Sequence, residues 1–144
     1  MKHEEHDIQA AAMEILGLIP EFEWVFAIPN GGARDKRTGA RLKAEGVKPG
    51  VWDLFFPRNK YQYATEDGRS LISIGIFIEV KTKSGKLTYD QARFGLYANG
   101  QDYGIAICRS AKSIVDTIIK YSNGRFEGNS SALEECRKRI MRGK

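Results

Sequence analysis

Two carboxylates and a lysine stand where charge needs a reason. The run Ile74-Gly75-Ile76-Phe77-Ile78 is short and β-branched, as a buried strand is, and leads straight into Glu79-Val80-Lys81. Alternate side chains of a strand share a face, so Glu79 and Lys81 point one way while Ile78 and Val80 point the other. A second apolar run, Val51-Trp52-Asp53-Leu54-Phe55-Phe56, carries a lone acid, Asp53. Charge in such settings is costly unless paired or bound to a metal. Two acids and a lysine converging there suit hydrolysis of a phosphodiester at a magnesium ion. That reaction needs positive charge on the scissile phosphate and an activated water. Magnesium takes oxygen ligands, often only one or two of them protein carboxylates. Asp53 and Glu79 are the candidate ligands, with the Val80 carbonyl as a third oxygen. Lys81 would orient or deprotonate the water, or neutralise the pentacovalent charge. Manganese often replaces magnesium at oxygen sites. The plainer alternative is a cross-pleat ion pair on a half-exposed strand, since Glu-x-Lys is a common sequence.

Several elements must position these groups. Ile8, Ala11, Ala12, Ile15 and Leu16 recur at helical spacing over residues 4–18, ended by Gly17 and Pro20. Trp24–Ile28 reads as a strand and Pro29-Asn30-Gly31-Gly32 as a turn or loop. Residues 35–45 read as a short basic helix with Gly46 as its C-cap, followed by a tight Lys48-Pro49-Gly50 turn. Residues 57–73 are polar and contain Asp67-Gly68, a hairpin turn with Tyr61-Gln62-Tyr63 in one arm. After Lys81, Thr88 is placed to cap a helix reaching Ala98. Gln91 stands three residues on, the spacing of a capping box. Tyr103–Cys108 is another strand, Ser110 caps a helix to Tyr121, and a last amphipathic helix starts at Ser131. The order predicts an α/β fold whose mixed central sheet is flanked by helices, with the Glu79 and Tyr103 strands joined by a βαβ crossover.

Composition narrows the partners. The 144 residues suit one domain with its own core, and the net charge of +5 permits nucleic-acid binding without requiring it. The surplus is concentrated. Residues 34–43 hold five basic side chains and one acid, and the tail from Arg137 to Lys144 holds five more, unless it is simply a solvated, frayed end. No apolar run approaches the roughly 20 residues that span a bilayer. The polar start and the separated Cys108 and Cys136 fit a cytoplasmic protein with bystander thiols. His3 and His6 lack zinc-site company. Phe94, Leu96 and Tyr97 read as core rather than a stacking platform.

Taken in order, Glu5-x-x-x-Gln9, Pro29-Asn30-Gly31-Gly32-x-Arg34, the stretch Leu42–Leu54, Ile78-Glu79-Val80-Lys81, Gly85-Lys86-Leu87-Thr88-x-x-Gln91 and Tyr103-Gly104 resemble the VRR-NUC domain. This is the virus-type replication-repair nuclease branch of the PD-(D/E)XK superfamily, here in its small stand-alone phage or bacterial form. The resemblance covers residues 5–121 of a single domain, leaving 122–144 as a C-terminal helical tail. It departs from the family at Trp52, where Pro is usual. The segment between Asp53 and Glu79 is also longer than in compact members, an extra hairpin for substrate or a partner subunit.

The resemblance implies a restriction-endonuclease-like core and a magnesium-dependent DNA endonuclease. Branched DNA such as a four-way junction is the implied substrate, cut by a homodimer with two centres. It implies Asp53 and Glu79 as metal ligands, Lys81 as the catalytic lysine and Gln91 as a contact to the active site or its water. Gln91 also has a plain role as capping partner of Thr88. Glu5 matches the family's first-helix acid and either reaches the metal or serves the helix dipole. Asn30, Gly31, Gly32 and Arg34, with Lys43, form a substrate-facing loop or an ordinary strand-to-helix turn. Lys36, Arg37, Arg41 and Lys48 are implied phosphate contacts without sequence readout. The competing functions are a catalytically silent nucleic-acid-binding module of the same fold, and a nuclease for flap or single-stranded DNA or for RNA.

Overall fold

Apolar runs and their punctuation fix the elements. The computed structural model describes residues 2–29, 36–58, 61–64, 67–68 and 70–144. In chain order they are α1 (Lys2–Leu16), a single 3-10 turn (Pro20–Phe22), β1 (Phe26–Ala27), α2 (Lys36–Ala44), β2 (Leu54–Phe56), β3 (Tyr61–Ala64), β4 (Ser70–Ser73), β5 (Ile76–Val80), α3 (Tyr89–Gly100), β6 (Gly104–Cys108), α4 (Ala111–Ser122) and α5 (Ser130–Met141). α1 stops at Leu16, before Gly17 and Pro20. Ser110 caps α4 by accepting from the Ser113 N–H at 3.0 Å. Gly46, just past α2, has φ +100°, the left-handed geometry a C-cap glycine supplies. Among the described residues no helix is long and apolar enough to cross a membrane.

β1, β2, β5 and β6 form one four-stranded mixed sheet in that order. β2 lies antiparallel to β1 and β5, and β5 lies parallel to β6 across the α3 crossover. β3 and β4 make a separate hairpin. Ser73 anchors its return into β5. The buried Ser73 hydroxyl donates to the Gly75 carbonyl at 2.9 Å and accepts from the Tyr121 hydroxyl at 2.6 Å. Two sequence-based strands come out shorter than predicted. Trp24 and Val25 precede β1 rather than joining it, and Asp53 lies one residue before β2. Pairing continues past the strand all the same, since the Ile28 N–H donates to the Asp53 carbonyl at 2.8 Å.

The sheet is covered on both faces, which is why β5 is buried along most of its length. Ile76, Ile78 and Val80 pack with Leu54, Phe56 and residues of α1 and α4, among them Ala12, Leu16, Ile114, Ile118 and Tyr121. The opposite face packs Phe77, Ile105 and Ile107 with Trp52, Leu87, Ala92 and Ala98 and with Ala132 and Cys136 of α5. Alternation along β5 therefore sends Glu79 to the α3–α5 side. The amphipathic helix predicted from Ser131 is α5, which carries the basic tail as far as Met141 rather than leaving it frayed.

Gly95 lets α3 approach this closely. A Cβ there would stand 2.6 Å from both Cys136 Sγ and Trp52 Cζ2. Gly95→Ala should therefore lower unfolding stability by about 1–3 kcal/mol from overpacking, despite the helix propensity of alanine. Urea midpoints would check this, and adding Cys136→Ala should restore part of the loss. A stabilised Gly95→Ala protein would contradict the packing.

Candidate active site

The acids meet where β2 begins and β5 ends. Leu54 sits opposite Ile78, so carrying the antiparallel register one residue further sets Asp53 opposite Glu79, on the same face. Asp53 Oδ2 accepts from the Val80 N–H at 2.8 Å, which ties its carboxylate to the strand end. Glu79 is 1% exposed and Lys81 6%. Lys81 Nζ lies 3.2 Å from Glu79 Oε2 and donates to Gln91 Oε1 at 2.9 Å. The predicted alternative of a half-exposed ion pair is thus wrong in its burial, though the pair itself forms.

Gln91 joins its capping role to a contact with Lys81 through one oxygen. The Thr88 side chain accepts from the Gln91 N–H at 3.1 Å, and Gln91 Oε1 accepts from the Thr88 N–H at 2.9 Å, a complete capping box. The same Oε1 receives Lys81 Nζ, so the start of α3 fixes where the ammonium points. Trp52 reinforces this placement. Its indole N–H donates to the Gln91 carbonyl at 2.8 Å, joining the approach to Asp53 with the first turn of α3. Gly50 lets the preceding turn pass close to the same helix, since a Cβ there would stand 2.6 Å from the Asp90 carbonyl carbon.

The electrostatics leave a cation to be found. Burial pushes the Glu79 carboxyl well above the usual carboxylate range. Repulsion from Asp53 adds to this, and Lys81 partly opposes it. Glu79 Oε1 is buried and has no hydrogen-bond partner among the described residues. Asp53 and Glu79 are close enough to share a proton, and only with both ionised would neither offer the other a donor. With Lys81, among the described residues, as the one buried cation beside two acids, a divalent metal ion fits: it would satisfy the orphaned oxygen and balance the charge. Among the described residues no group of three or more His, Cys, Asp or Glu gathers to hold a metal. Asp53 and Glu79 stand there as two carboxylates, and among the described residues half-buried Glu5 on α1 is not grouped with them. The peptide of Val80 enters through its N–H on Asp53.

Arg109 was not foreseen. It follows β6, which runs parallel to β5 and ends beside it. Its Nη1 donates to the carbonyls of Thr82 and Gly85, each at 2.7 Å, and its Nη2 pairs with Glu135 of α5. Arg109 thus holds the turn that follows Lys81. The signal was present as a lone Arg at the end of an apolar strand, but its partners lie 24 to 27 residues away.

The remaining candidates fall elsewhere. Arg37, Arg41 and Lys43 lie exposed on α2, and Lys48 is exposed in the turn after it. Lys36 opens α2, while Asn30, Gly31, Gly32 and Arg34 lie outside the described residues. Both thiols are kept protonated by burial: Cys108 is pushed up from the ordinary thiol value, and Cys136 to about 11. Phe94 and Leu96 pack on the core as predicted, but Tyr97 does not and is largely exposed.

No protein-family model and no curated protein matches this sequence. Among solved structures, one described as a VRR_NUC domain protein superposes with a TM-score of 0.65 at 19% sequence identity, covering 85% of this chain and 95% of that one. The chain has the fold of that VRR_NUC domain protein, a mixed α/β sheet with helices on both faces.

Proposed function

We propose that this protein is a metal-dependent nuclease of the VRR-NUC type within the PD-(D/E)XK superfamily, hydrolysing DNA phosphodiesters. The observation that carries the proposal is Glu79: a fully buried carboxylate with one oxygen on Lys81 and the other without a donor, beside Asp53. Asp53 and Glu79 would hold Mg2+, or Mn2+ in its place, with the Val80 carbonyl as a further oxygen. The ion would supply Lewis-acid polarisation of the phosphate and an acidified water. Lys81, held between Glu79 and Gln91, faces the charge that grows on the phosphoryl oxygens or holds the attacking water. Gln91 positions Lys81, and Trp52 and Thr88 position Gln91. The exposed cations of α2 and Lys48 hold the strand by its phosphates.

Branched DNA and a homodimer belong to the same proposal. Edge strand β1 presents Phe26 to solvent, with Trp24 beside it, apolar surface that a second copy would cover. Two centres would then cut two strands. A panel of four-way, flap and duplex DNA, with Mg2+ and then EDTA, is the test. We expect Mg2+-dependent nicks, with four-way junctions cut fastest and in pairs. Equal rates on linear and branched DNA would overturn the junction preference. Tight DNA binding with no Mg2+-dependent product on any DNA would replace the nuclease by a binding module.

A further inference from the structure

The turn after Lys81 and the end of α5 face each other across a cleft of about 430 Å³. Lys83 and Lys86 line it from the turn, Lys138 and Arg142 from α5, and Arg109 and Arg139 join them against a single acid, Glu135. We propose that this cleft is a phosphate-binding groove, separate from α2, which carries the DNA backbone beside the Asp53–Glu79–Lys81 centre. The proposal rests on the nuclease reading and adds to it a surface and a direction for the strand.

Two of the six cations are structural. Arg109 is spent on the turn carbonyls and Glu135. Arg139 donates to the Leu87 carbonyl at 3.1 Å and lies 5.8 Å from the Tyr89 ring centroid, which docks α5. The other four are exposed. Among the described residues Lys83, Lys86 and Arg142 form no ion pair, and Lys138 pairs only with Glu134, one helical turn away and equally exposed. Such a pair is worth little and exchanges readily for a phosphate. Cations in the last turn of a helix do suit its dipole, which accounts for Lys138 and Arg142. It does not account for Lys83 and Lys86, which come from a different segment and face them. The turn is also a rigid base. Arg109 fixes it, and a Cβ on Gly85 would stand 3.5 Å from Lys81 Cδ, so the turn lies against the stem of the lysine in the centre. Two residues, at most about 7 Å of backbone, separate Lys83 from Lys81. A phosphate on Lys83 therefore neighbours the centre.

The test is the salt dependence of binding to a fluorescein-labelled DNA duplex in EDTA, followed by anisotropy. Lys86→Glu/Arg142→Glu is compared with Lys112→Glu/Lys120→Glu, the same charge reversal on α4. We expect the cleft variant to bind at least about tenfold more weakly, with a slope of log K against log salt shallower by about 2. The α4 variant should stay within about threefold of wild type, because charges beyond a Debye length are screened. Equal losses in the two variants, or an unchanged slope in the cleft variant, would overturn the groove. If the cleft variant is unfolded by circular dichroism, the exposed Lys83→Gln/Lys86→Gln pair gives the same comparison. Wild-type protein that cleaves DNA while the cleft variant binds like the α4 variant removes the groove alone. Wild-type protein that binds no DNA removes the groove and the nuclease reading together.

Discussion

Replacing Lys81 by alanine should slow Mg2+-dependent DNA cleavage by about 100- to 1,000-fold, the usual cost of removing one preorganised donor for transition-state charge. DNA affinity should hardly change. Lys81 is only 6% exposed, so it adds little to the surface that meets the phosphates. The ammonium is fixed by two acceptors on different elements, Glu79 at the end of β5 and Gln91 in the first turn of α3. Gln91→Ala should give a smaller loss, because Glu79 still holds the amine. It should also lower stability by about 1 kcal/mol, since half of the capping box goes with it. Single-turnover rates with binding measured in parallel separate these effects. Full activity in Lys81→Ala would remove the lysine from the chemistry.

Glu79→Gln should make the metal-free protein more stable while abolishing its response to metal. The sign follows from the raised folded-state pKa. Folded Glu79 keeps a proton that the unfolded chain releases above the ordinary value, about 4.3. The metal-free fold is therefore fully stabilised by this group below that value. It loses the contribution as pH rises through the raised folded value. The amide carries no charge to bury, and it can turn its oxygen to Lys81 and its NH2 toward Asp53. A gain of about 1 kcal/mol, or a rise in Tm of about 3–6 °C, is expected at pH 8 in EDTA. Wild-type protein should gain Tm on adding Mn2+, more at pH 8 than at pH 5.5, because the ion needs the ionised carboxylate. The variant should not respond. A variant less stable than wild type in EDTA, or one stabilised by Mn2+ as strongly, would contradict the two-carboxylate centre.

What was legible in the sequence was local. The alternation that puts Glu79 and Lys81 on one face of β5, the Thr88–Gln91 spacing and the Asp67-Gly68 hairpin turn all depend on residues a few positions apart, and all appear in the fold. Asp53 stood out because a lone acid in an apolar run is costly, yet its pairing with the Val80 N–H depends on strand register across 27 residues. Trp52 looked like a departure without a role. Its indole reaches the Gln91 carbonyl 39 residues away, a contact no spacing rule encodes. Arg109 and Glu135 were missed for the same reason. The last amphipathic helix was legible too, from the spacing of Leu133, Cys136 and Ile140, and α5 runs Ser130–Met141. Its five basic residues left a solvated, frayed end open as an alternative, which the apolar face of Ala132 and Cys136 on α3 sets aside.

The central claim is that Asp53, Glu79 and Lys81 form a metal-dependent phosphodiester-hydrolysing centre. Its most direct test is to assemble the protein with labelled four-way DNA in EDTA and start the reaction with excess Mg2+. Wild-type protein should yield no product before the addition and a burst of nicks after it, whereas Lys81→Ala, bound to the same extent, stays flat. Product forming at the same rate in EDTA, or equally from Lys81→Ala, would contradict the claim.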